Sequence, residues 1–383
     1  MGKIEELIKR LCHNGVPYIK LQEIAEIGTG NSDRKDAVEN GDYPFYVRSK
    51  DILRIDKYEY DETAIIIPGE GGIGEIFHYV EGKYALHQRA YRIHIIDNKL
   101  NTKYLYYYMS SMFKKFIMKK AVSATVTSIR KPMIEQFPVP VPPLEVQCEI
   151  VHILDDFTLL SAELSAELKA RQNQYNYYRD KEMLNAKNVV KYKLNEIAEI
   201  YDGTHQTPKY TDSGIDFISV ENINDIYNSK KYISIDDYNK YKIKPKLNDI
   251  FMTRIGTIGK CTVFNKQKDL AYYVSLALIR PNNNIVDSYY LKYLIESIIG
   301  IKELRKRTLV NAVPIKINKD DIGKLVLPIP PLEEQKRIVN ILDRFDKLCN
   351  NISEGLPAEI EARQKQYEYY RDKLLTFMEK QYV

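Results

Sequence analysis

The chain contains two copies of itself. Val139-Pro140-Val141-Pro142-Pro143-Leu144-Glu145-Val146-Gln147 returns as Leu327-Pro328-Ile329-Pro330-Pro331-Leu332-Glu333-Glu334-Gln335. The match runs on from Ile150-Val151-His152-Ile153-Leu154-Asp155-Asp156-Phe157 to Ile338-Val339-Asn340-Ile341-Leu342-Asp343-Arg344-Phe345. It resumes between Ala170-Arg171-Gln172-Asn173-Gln174-Tyr175-Asn176-Tyr177-Tyr178-Arg179-Asp180 and Ala362-Arg363-Gln364-Lys365-Gln366-Tyr367-Glu368-Tyr369-Tyr370-Arg371-Asp372. The displacement grows from 188 to 192 residues on the way, so the second copy carries four extra residues near Gly355-Leu356-Pro357. A repeat of this length predicts two equivalent structural units. Shorter echoes precede each copy: Lys20-Leu21-Gln22-Glu23-Ile24-Ala25-Glu26-Ile27 with Lys193-Leu194-Asn195-Glu196-Ile197-Ala198-Glu199-Ile200, and Gly71-Gly72-Ile73-Gly74 with Gly256-Thr257-Ile258-Gly259. Between those anchors the two halves differ almost completely.

The repeated segments read as helices behind a stiff Pro-rich lead, because proline has no N–H to donate and restricts the residue before it. Ile150, Leu154, Phe157, Leu164, Leu168, Tyr175 and Tyr178 fall at helical spacings, as do Ile338, Leu342, Phe345, Ile352, Leu356, Ile360, Tyr367, Tyr370, Leu374 and Phe377. Each set is a coiled-coil seam. An unpaired seam would leave its apolar face in water, so the two helices are expected to pair, antiparallel because a globular segment lies between them. Some 40 residues at ~1.5 Å each make a rod about 60 Å long. Gly355 and Pro357 are expected to break or kink the second helix.

The variable segments read as mixed strands and helices. Thr63-Ala64-Ile65-Ile66-Ile67 and Leu276-Ala277-Leu278-Ile279 are expected to be buried strands. Leu105 through Met118, and Tyr289 through Leu304, read as a helix near the end of each variable segment. The glycines at 69–74 and 256–259 are read as tight turns at positive φ. The resulting fold class is α+β: two globular mixed α/β domains, 1–140 and 191–327, separated by two long helical segments, 141–190 and 328–383, that form an antiparallel coiled coil with an internal pseudo-twofold repeat.

The basic excess lies in the variable segments, and the helical copies are near neutral. Lys114, Lys115, Lys119 and Lys120 cluster around the end of the first late helix, and Arg305, Lys306 and Arg307 follow the second. Polar stretches follow both, with Ser128, Arg130 and Lys131 in one and Asn311 and Lys316 in the other. Lys and Arg neutralise phosphates, while Arg, Asn, Gln and Ser read base edges. With Gln88 and Arg89 beside His87, and with Arg254, Thr257 and Lys260 around the second glycine turn, these residues are the candidate DNA contacts.

Composition excludes several classes. The hydrophobic share of 44% supports folded cores, and a net charge of only +5 rules out dense histone-like charge. No apolar run reaches the ~18 residues of a membrane span, and the first residues have neither a signal-peptide nor a transit-peptide pattern, so the cytoplasm is the expected compartment. The four cysteines form no CxxC pair, so free thiols are expected. Gly69-Glu70-Gly71-Gly72-Ile73-Gly74 resembles a phosphate loop, but Glu75 stands where lysine would be required. No HExxH metal spacing, Asn-Pro-Pro-aromatic motif or convincing nuclease set occurs, so no catalytic or metal site is expected.

The repeated Pro-Pro-Leu-Glu-x-Gln and Ala-Arg-Gln…Tyr-Tyr-Arg-Asp motifs, with the opening Leu7-Ile8-Lys9-Arg10-Leu11-Cys12-His13-Asn14-Gly15-Val16, resemble the specificity (S) subunits of Type I restriction-modification systems, HsdS, over essentially the whole chain. The resemblance implies two target-recognition domains, each reading one half of a bipartite site in double-stranded DNA. It implies helices that set the gap and dock two methyltransferase (M) subunits, with restriction (R) motor-nuclease subunits joining the full complex. It implies no cofactor in this chain, since S-adenosylmethionine belongs to the M subunits. Two other readings are a DNA-binding scaffold of another defence complex working without M subunits, and an enzyme in its own right.

Overall fold

A computed structural model describes residues 2–120, 128–350 and 355–380, with the side chains of Lys120, Cys349 and Asn350 left out. The chain forms two compact units, one of residues 1–164 with 360–383 and one of residues 165–359. The helix Leu144–Asn185 contributes its first half to one and its second half to the other.

Unit 1 starts with the helix Gly2–Leu11, whose Ile4 and Leu7 are buried. Strand β1 (Tyr18–Lys20) pairs with β8 (Pro138–Pro140) and so ties the two ends of the variable segment together. Between them lie β2 (Ala25–Thr29), β3 (Tyr43–Tyr46), β4 (Leu53–Ile55), β5 (Tyr60–Pro68), β6 (His78–Leu86) and β7 (Ala90–Ile95), in a sheet of order β2-β7-β5-β6-β3-β4. Only β3 with β6 is parallel. The apolar run in β5 is explained by burial on both faces. Ile65 and Ile67 face a core shared with Tyr104, Met109 and Phe113 of the helix Thr102–Lys120, and Ala64 and Ile66 face a second core with Tyr46 and Leu86.

Unit 2 repeats that topology with less regular strands. β9 (Val190–Lys193) pairs with β17 (Val326–Ile329), as β1 does with β8. β10 (Ala198–Asp202), β11 (Ile215–Ile218), β12 (Tyr232–Ile233), β13 (Ile250–Thr253), β14 (Cys261–Val263), β15 (Leu270–Tyr272) and β16 (Leu276–Pro281) form sheets of order β10-β16-β13-β14 and β12-β11-β15. The long β6 of unit 1 is thus split into β14 and β15, and the parallel pair recurs as β11 with β15. β13 and β16 are buried on both faces in the same alternating way.

One expected element differs. Tyr289 through Leu304 is not a single helix but two, Ser288–Glu296 and Ile298–Arg305. Ser297 divides them with extended dihedrals (φ −74°, ψ 169°), and its hydroxyl accepts the Ile299 and Gly300 amides. A serine there satisfies the free N–H groups of a new helix start better than it sustains the old helix.

Within each unit the repeated helices meet in antiparallel order. In unit 1 the Phe157 ring stacks on Tyr370 at 5.7 Å and approaches Tyr367 at 6.3 Å, and Ile150, Leu154 and Leu374 share one core. In unit 2 Tyr178 stacks on Phe345 at 5.5 Å, and Arg337 reaches Glu182 at 2.7 Å. The seam also packs on its own unit: Tyr175 lies edge-on to Tyr293 at 6.4 Å, and Ile338 and Leu342 join the sheet-side core. Leu164, Leu168 and Ile360 are half-buried, and Ile352 lies outside the described residues. The second copy is described as Leu332–Asn350 and Leu356–Leu374, with Pro357 in the first turn of the latter, where proline is tolerated.

The conserved motifs of the repeat are the joints of each unit. Gln147 is fully buried: its Nε2 donates to the Pro142 and Lys99 carbonyls (2.7 and 2.8 Å), and its Oε1 accepts the Asn101 amide (2.8 Å). Gln335 does the same with Pro330, Ile285 and Asp287. Tyr107 donates to Asp155 and Tyr293 to Asp343, each from a late helix to a repeated one. In unit 1 the chain ends complete the match: Val16 N donates to Met378 O, and Lys380 N to Val16 O. Gly15 sits there at φ 78°, and an added Cβ would lie 2.7 Å from Met378 O. In unit 2, where the chain runs on from helix to β9, the equivalent Asn188 takes φ 54°, a conformation asparagine tolerates.

Candidate nucleic-acid interface

The variable chemistry gathers at one end of each sheet, on a backbone frame that is the same in both units. In unit 1, His87 N donates to Tyr46 O, Gln88 N to Ser32 O, Gly69 N to Arg89 O and Ile129 N to Gly69 O. In unit 2, Tyr273 N donates to Ile218 O, Val274 N to Thr204 O, Arg254 N to Ser275 O and Ile317 N to Arg254 O. Five chain segments are therefore pinned together in one arrangement. The glycine turns take positive φ as expected, at Gly71 and Gly74 in one unit and Gly256 and Gly259 in the other.

The side chains on that frame differ. In unit 1 a cleft of about 290 Å³ is lined by Arg34, Val47, Arg48, Ser49, Glu70, Gly71 and His87. Arg48 and Arg89 both reach Glu70, at 2.8 and 3.2 Å. Gln88 donates to Asp33 at 2.9 Å. His87 is buried, and its Nδ1 accepts the Arg89 amide (2.9 Å), which leaves Nε2 as the N–H donor. Burial, with the Arg48 charge beside it, pushes this imidazole below its ordinary value and keeps it neutral. Ser128 and Arg130 are exposed on the adjoining segment, whereas Lys131 lies 3.8 Å from Glu135.

Several candidates are otherwise engaged. Arg254 is buried at 7% exposure, with Nε on the Ile317 carbonyl (3.1 Å) and Nη1 on Asp202. It braces the loop frame from inside, a correction of its expected place at a DNA contact, because the arginine fills the position where unit 1 has Gly69. Lys114 pairs with Glu75, and Lys115 lies 3.9 Å from Asp372. Lys119 is exposed, and the Lys120 side chain lies outside the described residues. In unit 2, Thr257, Lys260, Arg305, Asn311 and Lys316 are exposed.

Glu303 takes up Lys306 and Arg307, the latter at 2.8 Å, and also accepts the Val326 amide at 3.1 Å. Its burial opposes ionisation, but these three donors outweigh that and hold the carboxyl below its ordinary 4.5. A lowered folded value adds stability that is present above about pH 4.5 and lost as pH falls through the folded value. Glu303→Gln is expected to cost about 1–3 kcal/mol at neutral pH and to flatten the acid limb of a stability-versus-pH curve. Urea melts of both proteins between pH 3 and 7 check this, and parallel curves would refute it.

The sequence reading missed Arg34, Arg48 and Ser49. Their only signal was basic pairs in loops, Arg34-Lys35 and Arg48-Ser49-Lys50, which lie far from the glycine turn in sequence. Among the described residues no group of three or more His, Cys, Asp or Glu could hold a metal ion, and no helix is long and apolar enough to cross a membrane. Cys12, Cys148 and Cys261 are free.

Comparison with known proteins agrees with this architecture. The family model described as Type I restriction modification DNA specificity domain matches twice, at residues 14–171 and 186–362. A protein of Haemophilus influenzae named as a type I restriction enzyme specificity subunit is 30% identical, covering 97% of this chain and 98% of its own length. The EcoR124I/EcoR124II specificity subunit of Escherichia coli is 33% identical over 73% of this chain and 72% of its own. Among solved structures, the S subunit of a type I system from M. genitalium superposes with a TM-score of 0.61 at 14% identity, covering 95% of this chain and 97% of that one. A chain from work on assembly and conformational transition of the type I R-M system gives 0.57 at 15% identity, covering 94% and 97%. With two family domains on a repeated helical scaffold and full-length likeness to such subunits, this chain belongs to the Type I restriction-modification specificity subunit family.

Proposed function

We propose that the chain is the non-catalytic sequence-reading subunit of a Type I restriction-modification complex, in which each unit reads one half of a bipartite site in double-stranded DNA. The observation that carries this is the shared loop frame: four backbone hydrogen bonds recur in both units while the side chains they present differ. One scaffold with two unlike faces suits a non-palindromic site. The repeated helices set the unread gap. The repeat offers two equivalent docking faces, which suits two M subunits. S-adenosylmethionine and the methyl transfer then belong to those partners, R subunits add translocation and cleavage, and the assembly works in the cytoplasm. The alternative, a scaffold that acts without M subunits, requires tight site binding by the isolated chain.

Sequencing of modified bases in the source strain, with this gene present and deleted, tests the reading. The expected result is a two-part adenine-methylation motif that disappears on deletion. Survival of every motif would refute it, and DNA methylated or cut by the purified chain alone would refute its non-catalytic part.

A further inference from the structure

We infer that Arg48 and Arg89, positioned by Glu70, read guanine in the half-site contacted by unit 1; this rests on the DNA-reading role proposed above. Both guanidinium groups bind the same carboxylate oxygen through Nη1, at 2.8 and 3.2 Å. Each arginine has five N–H donors in a fixed fork, so one bond to Glu70 leaves a second edge free to give two parallel hydrogen bonds. Guanine N7 and O6 in the major groove accept that pattern. The remaining Glu70 acceptors suit the N4 amino group of the paired cytosine. A phosphate would be repelled by the same carboxylate, so the triad fits a G·C edge better than a DNA backbone.

The mount is rigid. Gly69 N is bound to Arg89 O, Glu70 bridges to Ser128, and Arg89 N is bound to His87. A Cβ at Gly69 would lie 2.8 Å from Arg89 O, so the glycine is what lets the Glu70 and Arg89 loops come together. Unit 2 has the same backbone positions without the triad. Ile255 bridges to Lys316 where Glu70 bridges to Ser128, and Ser275 O accepts the amide that Arg89 O accepts in unit 1. Val220, two residues past the Ile218 carbonyl bound by Tyr273, stands for Arg48, two past Tyr46. Guanine reading by this triad is therefore confined to the half-site of unit 1.

The test selects binding sequences from a randomised DNA pool, using the full chain assembled with its methyltransferase subunits, as wild type and as Arg48→Ala, Arg89→Ala and Glu70→Gln. The expected wild-type motif has one or two G·C pairs in one half-site. Each arginine variant should lose roughly 5- to 150-fold of discrimination at one of these pairs, with the other half-site unchanged as a control for folding. Glu70→Gln should relax the same positions. Uniformly weaker binding with an unchanged motif, and a salt slope lower by about one, would assign the arginines to phosphates and overturn the inference. A half-site without G·C would also overturn it while leaving the proposed function standing. Failure of the wild-type complex to select any two-part motif would instead overturn the proposed function, and this inference with it.

Discussion

Replacing residues 16–138 with the equivalent segment of a family relative changes one half of the methylated sequence and leaves the other half and the spacing as they were. The reason is structural. The reading loops of unit 1 are held by hydrogen bonds among themselves, and β1 with β8 closes the segment at both ends. What the segment must offer the rest of the chain is a limited set: the Val16 backbone for Met378 and Lys380, the Pro17 carbonyl for Val141, Tyr18 for the Phe377 carbonyl and Tyr104 for that of Pro140, the Asn101 amide and Lys99 carbonyl for Gln147, Tyr107 and Lys103 for Asp155, and Ser111 for Asp372. A relative that keeps these groups can be joined without disturbing the helices. Each mismatched base pair typically costs about 1–3 kcal/mol, so a changed half-site is all-or-none in a methylation map. Modified-base sequencing of a strain carrying the chimera is the measurement. Changes in both halves would show that the units do not read independently.

Gln335→Leu is expected to destabilise unit 2 by about 3–5 kcal/mol, and Gln147→Leu to do the same to unit 1. Both glutamines are fully buried, and each supplies three hydrogen bonds at the point where a variable segment meets a repeated helix. Leucine fills a similar volume but leaves one backbone N–H and two carbonyls without partners. The cost is the desolvation of those groups, which is larger than the net worth of the bonds. For a unit of this size the melting temperature should fall by roughly 6–20 °C. Differential scanning calorimetry resolves the two single variants, and a shift below about 2 °C for either would refute the role given to the amide.

The joints could be seen in the sequence as repeated letters but not understood there. Pro-Pro-Leu-Glu-x-Gln is plain in both copies, yet nothing in it says that the glutamine faces inward to bind a loop some 46 residues upstream in unit 1. The glycine turns were legible because positive φ leaves few other choices. The apolar strands were legible because they are buried on both faces. The break at Ser297 was not, because a serine inside an apolar period gives no sign of whether its hydroxyl will cap a new helix. The basic clusters were misleading in part: Lys114, Lys306 and Arg307 stand out in the sequence, but Glu75 and Glu303 have taken them up.

What the sequence determined by itself was the plan: a duplicated scaffold, helical where it repeats and mixed where it varies, with antiparallel pairing required to cover two apolar seams. Repetition and periodicity are local properties, and they survive in one dimension. Which charges are free to meet a ligand was decided only by the tertiary structure. Arg48, Glu70 and Arg89 lie apart in the chain and meet because three strand ends converge, while Arg254, equally basic on paper, is turned inward by Asp202. Charge pairing depends on distances of a few ångströms between segments far apart in sequence, and only the folded sheet sets those distances.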